Sequence, residues 1–164
     1  MPEILWAPWR MKYVERASVD ADGSGNIFVD LPAREDDRTN LILHRGELAF
    51  VLLNAFPYAN GHLLVAPFRQ ISDITLLSDP ELLELNQLVA RAVRWIRVAY
   101  RPDSFNIGVN MGAAAGAGIP QHIHWHVVPR WNGDTNFMTS IMDTRVMPQS
   151  LDESYGRLLE AKGT

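Results

Sequence analysis

Short runs of hydrophobic residues, bounded by charged or turn-forming residues, recur along this chain, and such runs are typical of β-strands. Aliphatic residues dominate the segments 41–44, 48–54 and 62–67. Residues 57–61 contain proline, asparagine and glycine, which mark a turn. These patterns predict three strands, of which the last two form an antiparallel hairpin. The charge-rich segment 32–40 predicts a short helix before the first strand.

Two segments have the helical period instead. Apolar residues recur at three- and four-residue spacing across 80–101, and this predicts one long helix. Ser78 or Asp79 can cap its first turn. The pattern of Ser150–Glu153 is a capping box, in which a serine is followed three residues later by a glutamate. It predicts a short C-terminal helix over 150–161.

Histidine alternates with large apolar residues in one stretch, where residues 122–126 read His-Ile-His-Trp-His. Three of the five histidines of the chain fall there. A strand with this pattern presents the imidazoles on one face and turns Ile123, Trp125 and Val127 into the core. Imidazoles are suited to proton and group transfer near neutral pH. With the other strands and one long helix, the pattern predicts an α+β fold with a mostly antiparallel sheet of about five strands.

A loop of small residues separates this histidine strand from the alternating segment 104–110. In that segment Phe105, Ile107 and Val109 are expected to face the core. Residues 112–118 are glycine and alanine alone. Small residues let main-chain N–H groups approach an anion closely, as phosphate sites require. Imidazoles beside such a loop indicate a phosphoryl site with a nitrogen nucleophile.

Composition narrows the class of protein. A chain of 164 residues supports one domain, expected over 1–164 with an N-terminal arm at 1–17. The net charge of −4 argues against a protein that coats nucleic acid. The absence of cysteine excludes disulfides and thiolate chemistry. The sequence has no leader-like start and no apolar run long enough for a membrane span, so no membrane association and a cytoplasmic location are expected.

Two other interpretations of the histidine row stay open. The imidazoles could form a solvated strand face, although such faces normally mix lysine, threonine, glutamate and serine. They could instead bind a metal ion. Neighbouring histidines on a strand lie ~6.6 Å apart at Cα and the outer two ~13 Å apart, whereas a zinc–nitrogen bond is about 2.0–2.1 Å long. Two neighbours could share an ion, but all three would converge on it only with severe side-chain bending.

Two segments resemble the histidine triad superfamily of nucleotide hydrolases and transferases. Residues 122–128 fit its signature, in which three histidines alternate with hydrophobic residues. Residues 53–67 resemble its other hallmark, in which Asn or Asp is followed by proline and then by Gly-His-x-Leu-Val-x-Pro. The flanks at 5–10 and 128–138 are similar to the bacterial diadenosine tetraphosphate phosphorylase-like branch. The resemblance covers most of the chain and implies the histidine triad fold.

The resemblance implies a catalytic role for several residues. His124, the central histidine, would attack the α-phosphorus of a nucleoside polyphosphate or phosphoramidate and form a nucleotidyl-histidine intermediate. His126 and Asn110 would contact phosphate oxygens or the leaving group. His62 and His122 would form a supporting inner pair. In this family the second step, attack by water or inorganic phosphate, needs no metal.

The resemblance also implies where the substrate binds. Asn54 matches the position that hydrogen-bonds the ribose hydroxyls, and Leu52, on the same strand face, would line the base pocket. Main-chain donors from the small-residue loop, and a side chain just before the triad, would contact phosphate. A tryptophan after the histidine strand is a candidate wall for the tail of the substrate. These further positions are Gly116, Gly118, Gln121 and Trp131.

One departure concerns a metal. Many relatives have a zinc site made from Cys-x-x-Cys, a later histidine and the first triad histidine. The corresponding positions here are Asn26–Val29, Gln70 and His122, so one of the four ligands remains. We therefore predict no structural zinc and no cofactor, and we expect packing around Ile27 and Phe28 to take its place.

The leading functional hypothesis is nucleotidyl transfer on dinucleoside polyphosphates, with phosphorolysis of diadenosine tetraphosphate to ADP and ATP as the expected reaction. The expected partners are the nucleotide and inorganic phosphate. Three alternatives stay open: hydrolysis of such nucleotides or of nucleoside phosphoramidates, a catalytically silent nucleotide-binding module, and a metal-dependent enzyme. A homodimer is expected, since dimers are usual in the superfamily, and a tetramer stays open.

Overall fold

The computed structural model describes residues 25–134 and 147–163. The expected N-terminal arm at 1–17 lies outside these residues. So does the part of the flank at 128–138 that follows Asp134. Within the described residues, no helix has the length and apolar character needed to cross a membrane.

Residues 26–132 and 147–164 form one compact unit by their internal contacts, and every strand and helix described below belongs to it. The expectation of a single domain over 1–164 stays a prediction.

Five strands form one antiparallel sheet in the order β1-β2-β3-β5-β4. The order places the histidine-bearing strand β5 between the hairpin strand β3 and the edge strand β4. Both the α+β class and the five-stranded antiparallel sheet are confirmed. The strands are β1 Ile42–Arg45, β2 Ala49–Leu53, β3 Leu63–Pro67, β4 Ser104–Val109 and β5 Trp125–Arg130.

The hairpin between β2 and β3 is also confirmed, with Val51 opposite Val65 at its centre. Its turn ends at Gly61, which has a φ of +80°. A Cβ atom there would lie 2.8 Å from the ring of Tyr100. The backbone conformation and the aromatic neighbour therefore both require glycine at this position.

Three α-helices accompany the sheet: α1 Ile27–Asp30, α2 Asp79–Tyr100 and α3 Leu151–Lys162. The long helix and the C-terminal helix are confirmed to within a residue or two. The main-chain N–H of Ser78 donates to Glu81, and that of Ser150 donates to Glu153, at the two N-termini. The short helix predicted at 32–40 was wrong, since this segment forms turns. A carboxylate there, Asp36, accepts from both the N–H and the hydroxyl of Thr39, which favours a turn over a helix.

Both faces of the sheet are covered by apolar side chains. On one face, alternate strand residues pack with α2 and α3 in the larger core cluster, which includes Val51, Val65 and Val127. A smaller cluster lies on the other face, and α1 contributes the side chain of Phe28 to it. Its buried members are Phe28, Ile42, Phe50, Leu52, Leu64, Ala66 and Ile119.

Two expectations about β4 and β5 need correction. Ile107 does not face the core: it is 49% exposed, because β4 is the edge of the sheet, whereas Phe105 and Val109 are partly buried against the core. The regular ladder of β5 begins at Trp125 rather than at His122. Its partner β3 ends at Pro67, which has no N–H to extend the ladder.

Candidate active site

The histidine row keeps its alternation although it begins before the regular strand. Ile123, Trp125 and Val127 are buried in the larger core cluster, as predicted. The main-chain N–H of Ile123 donates to the Ile71 carbonyl at 2.6 Å. This bond holds the start of the row against the segment that follows β3, so all three imidazoles stay on the opposite side of the chain.

Four histidine side chains lie close together in the folded protein. The ring centroids of His124 and His126 are 5.0 Å apart, and those of His62 and His126 are 5.2 Å apart. His62, His122 and His124 are buried, and His126 is half-buried. The hydrogen bonds of these rings fix which nitrogen carries the proton in each.

His124 has one ring nitrogen turned toward the main chain. Its Nδ1 atom lies 2.8 Å from the His122 carbonyl oxygen, which can only accept a hydrogen bond. Nδ1 therefore carries the proton, and Nε2 keeps its lone pair in the neutral ring. Burial lowers the pKa of His124, and the hydrogen bond to the carbonyl opposes this only in part. A neutral imidazole with a free Nε2 is what nucleophilic attack on phosphorus requires.

His126 receives its orientation from His62. Nδ1 of His62 accepts from the main-chain N–H of Tyr58 at 3.1 Å and lies 3.2 Å from the amide nitrogen of Asn54. The proton of the neutral His62 ring is therefore on Nε2, which lies 3.0 Å from Nδ1 of His126. His126 accepts this bond and carries its own proton on Nε2. Burial, and secondarily the nearby His124, lower the pKa of His126 to about 4.

His122 is held on both sides of its ring. Nδ1 lies 3.0 Å from the amide nitrogen of Asn26, and Nε2 lies 2.9 Å from the Pro67 carbonyl oxygen. Burial lowers the pKa of this ring as well. His62 and His122 are thus both buried and support different rings: His62 bonds to His126, and His122 supplies the carbonyl that binds His124.

The two residues expected to contact the nucleoside lie at the end of β2. Asn54 is half-buried, and its Oδ1 atom accepts from the N–H of Phe56 at 2.9 Å. This bond and the contact with His62 place the Asn54 amide beside the histidine cluster. Leu52 is buried in the smaller core cluster and has only 3% of its surface exposed. Their substrate contacts stay predictions.

The small-residue loop brings Asn110 toward the expected phosphate donors. A Cβ atom on Gly116 would lie 3.9 Å from the amide nitrogen of Asn110, whose side chain makes no hydrogen bond within the described residues. The N–H of Gly116 donates to the Ala113 carbonyl inside the loop. Among the described residues, the N–H of Gly118 has no such partner. Asn110 and the N–H of Gly118 are therefore among the donors near this loop that a substrate could use.

The remaining two candidates lie on either side of the histidine row. Gln121 is exposed, just before His122. Trp131 is half-buried and follows the last residue of β5 directly. The substrate contacts expected of Gln121 and Trp131 stay predictions.

Three neighbours of the histidines were not among the candidates. Phe28 packs its ring 4.6 Å from that of His124 and 5.1 Å from that of His122. Tyr58 stacks on His126, with ring centroids 5.9 Å apart and an angle of 10° between the planes. Asn26 bonds to His122 across 96 residues of sequence. No sequence pattern signals these contacts, because they depend on how α1 and the hairpin turn pack over the row.

The sequence of this chain is similar to a known protein family and to several proteins of known name. A family model described as "HIT domain" matches residues 35–133. The AP-4-A phosphorylase of Mycobacterium tuberculosis is 40% identical over 155 residues, which cover 92% of this chain and 79% of that protein. The bis(5'-adenosyl)-triphosphatase of Saccharomyces cerevisiae is 30% identical over 97 residues, which cover 57% of this chain and 45% of that protein.

Solved structures share the fold. A zinc-bound histidine triad family protein from Mycobacterium smegmatis superposes with a TM-score of 0.62 at 30% identity, covering 75% of this chain and 84% of that one. A diadenosine triphosphate hydrolase from Plasmodium falciparum superposes with a TM-score of 0.61 at 15% identity, covering 84% of this chain and 95% of that one. The second likeness concerns the fold alone.

The zinc of the M. smegmatis protein raises the question of whether this chain fits such an ion. Zinc needs a ring nitrogen with a free lone pair and further histidine, cysteine or carboxylate ligands. Nδ1 of His122 faces an amide N–H donor, and Nε2 faces a carbonyl oxygen. Residues 25–134 and 147–163 contain no group of three or more histidine, aspartate or glutamate side chains placed to hold a metal. The described residues do not fit a zinc site at His122.

Proposed function

Because the chain belongs to the HIT domain family, we propose that it is a nucleotidyl-transfer enzyme that acts on dinucleoside polyphosphates. The proposed reaction is phosphorolysis of diadenosine tetraphosphate to ADP and ATP. One observation carries the proposal: the bond from His124 Nδ1 to the His122 carbonyl leaves Nε2 as a buried, neutral nucleophile. The 40% identity to a protein named AP-4-A phosphorylase supports the choice of substrate and reaction.

In the first step, the lone pair of His124 Nε2 attacks an α-phosphorus of the substrate. A nitrogen–phosphorus bond forms, the bond from that phosphorus to the bridging oxygen breaks, and ATP leaves with the electron pair. His126 offers its Nε2–H to the leaving oxygen. Since the pKa of His126 is about 4, this ring is neutral at neutral pH and acts as a hydrogen-bond donor. A leaving polyphosphate is a stable anion, so it does not need a full proton.

In the second step, an oxygen of inorganic phosphate attacks the same phosphorus. The oxygen–phosphorus bond forms, the bond to His124 breaks, and ADP leaves the neutral imidazole. Asn110 and the N–H of Gly118 are proposed to hold phosphate oxygens in both steps, because neither has a hydrogen-bond partner among the described residues. Donors that face the developing charge typically contribute several kcal/mol to catalysis.

Hydrolysis is the second candidate. A protein named bis(5'-adenosyl)-triphosphatase is 30% identical to this chain over 97 residues, and this likeness favours hydrolysis. Water would then take the place of phosphate in the second step, and the products of diadenosine tetraphosphate would be AMP and ATP. Both reactions share the first step, so the identity of the acceptor separates them.

The test supplies both acceptors with a label. Purified protein is incubated with diadenosine tetraphosphate, radiolabelled phosphate and ¹⁸O-water, and the nucleotide products are separated. Label from phosphate in ADP supports phosphorolysis. ¹⁸O in AMP, with no radiolabel in any nucleotide, overturns phosphorolysis in favour of hydrolysis. No turnover by a protein that binds the nucleotide overturns the enzyme proposal in favour of a silent binding module.

We also propose that the protein is a cytoplasmic homodimer, with a tetramer as the alternative assembly. The edge strand β4 and the long helix α2 support association, because Ile107 is 49% exposed on the strand and Val98 is 56% exposed on the helix. An unpaired strand edge beside apolar side chains favours pairing with another chain. Light scattering after size exclusion measures the mass, and a monomer would contradict the proposal. Cell fractionation tests the location.

A further inference from the structure

We propose that Asn26 is a positioning residue for the nucleophile His124, and that it acts through His122. The Asn26 carboxamide selects the tautomer of His122. The hydrogen bonds of the His122 ring then hold in place the main-chain carbonyl of His122, which accepts the hydrogen bond from His124. The catalytic part of this inference rests on the proposed function, whereas the tautomer can be tested without any turnover.

The orientation of the Asn26 amide follows from its other bond. Asn26 is the N-cap of α1, and its Oδ1 atom accepts from the main-chain N–H of Phe28 at 3.1 Å. Because the oxygen is used there, the amide nitrogen must face His122 Nδ1, at 3.0 Å. An amide nitrogen only donates. Nδ1 of His122 therefore holds a lone pair.

The lone pair on Nδ1 of His122 determines the other hydrogen bonds of this network. A neutral imidazole without a proton on Nδ1 carries it on Nε2. Nε2 of His122 lies 2.9 Å from the Pro67 carbonyl oxygen, which accepts that proton. The ring is thus pinned between α1 and the end of β3, and every polar atom of Asn26 and His122 in this network has a partner of the right kind. The main-chain oxygen of His122 then accepts from His124 Nδ1 at 2.8 Å.

Burial makes the polarity of the Asn26 bond important. Asn26 is 8% exposed and His122 is 1% exposed, so a mismatched donor or acceptor there cannot turn to water. Phe28, two residues after Asn26, covers the rings of His122 and His124. The first turn of α1 therefore supplies both the hydrogen bond that selects the tautomer and the ring that excludes water.

The test uses two variants that keep the helix cap and change the bond to His122. In Asn26→Ser the hydroxyl can still accept from the Phe28 N–H but is too short to reach His122. In Asn26→Asp one carboxylate oxygen can keep the cap, while the other presents an acceptor to Nδ1 and draws a proton onto it. Asn40→Asp is the matched control, because Asn40 is also buried but makes no hydrogen bond to a histidine among the described residues.

The first readout is the ¹⁵N spectrum of the imidazole rings at neutral pH, assigned with His122→Gln. We expect His122 of the wild type to be unprotonated at Nδ1 and protonated at Nε2, and Nδ1 to gain a proton in Asn26→Asp. The second readout separates kcat from KM. We expect kcat to fall about 100-fold in Asn26→Asp, the size typical of a nucleophile displaced by ~1 Å, with KM unchanged. Asn26→Ser should show a smaller fall, and Asn40→Asp the wild-type value.

A wild-type His122 that carries its proton on Nδ1 would overturn the inference. Unchanged His122 tautomer in Asn26→Asp, or wild-type kcat in a folded Asn26→Ser protein, would also overturn it. Melting temperatures establish that the variants are folded. If the wild type has no turnover, the proposed function fails, and the spectra of the wild type and Asn26→Asp still decide whether Asn26 selects the tautomer.

Discussion

Nε2 of His62 lies 3.0 Å from Nδ1 of His126, and a main-chain N–H at the other side of the His62 ring determines the direction of this hydrogen bond. His126 therefore points its own N–H away from His62. In the proposed reaction, the fully buried His62 acts through His126 and does not touch the substrate. The half-buried His126 is the ring proposed to reach the leaving oxygen.

Replacing His62 with leucine should lower kcat by roughly 100-fold, because His126 loses the donor that fixes its tautomer and orientation. KM should change little, since His62 is not proposed to contact the nucleotide. Steady-state kinetics with diadenosine tetraphosphate measure both. His44→Leu is the matched control: His44 packs its ring on Trp95, away from the row, and its loss should leave kcat unchanged. Equal falls in kcat for the two variants would contradict the role given to His62.

The pH dependence of kcat should report the buried state of His124. Attack requires the neutral ring, and burial lowers its pKa from the ordinary 6.5. The acid limb of the kcat profile should therefore lie below pH 6.5, with full activity above it. In Phe28→Leu, which uncovers the His124 ring, the limb should move up toward pH 6.5. A wild-type limb at or above pH 6.5 would contradict this account.

The lowered pKa of His126 predicts how the free energy of unfolding depends on pH. The unfolded chain binds protons at its histidines near pH 6.5, whereas the folded chain binds a proton at His126 only near pH 4. The unfolded state therefore holds more protons between these values, and the free energy of unfolding should fall as the pH drops from about 6.5 to about 4. Urea titrations across this range measure the fall, which should be shallower in His126→Gln. Equal slopes for the two proteins would show that His126 does not contribute.

The hairpin turn makes a separate prediction about stability. Gly61→Ala should lower the free energy of unfolding by about 2–4 kcal/mol, because it adds a left-handed backbone penalty and a contact with the Tyr100 ring. Gly108→Ala is the control: its Cβ atom would meet nothing within 4 Å, so a change of no more than ~0.5 kcal/mol is expected. Urea unfolding compares the two. Similar losses for both would contradict the close contact at Gly61.

The sequence pattern predicted most of the fold because each element has a strong period or a strong cap. The helix α2 has its apolar stripe and the Ser78–Glu81 cap, and β5 has its alternating histidines. The position of Ile107 was not predictable in the same way. Alternation marks the two faces of a strand, but whether a face is covered depends on which strand forms the edge of the sheet.

The candidate site was predictable where residues are close in sequence and not where distant segments meet. The motif at 122–128 located the imidazoles, but their tautomers depend on Tyr58, Asn26 and the Pro67 carbonyl, which approach from other parts of the fold. The helix α1 is four residues long and has no periodic pattern to reveal it. Asn26 was therefore visible in the sequence only as a position where relatives bind a metal, and Phe28 only as part of the packing expected to replace that metal.

The central claim is that the middle imidazole becomes covalently attached to the nucleotide, and rapid-quench mass spectrometry tests it most directly. The protein is mixed with diadenosine tetraphosphate without phosphate, quenched within milliseconds in alkali, where a nitrogen–phosphorus bond survives, and digested. We expect an AMP adduct on His124 and none in His124→Ala. Turnover without an adduct at that residue, or an adduct on His122 or His126 instead, would contradict it.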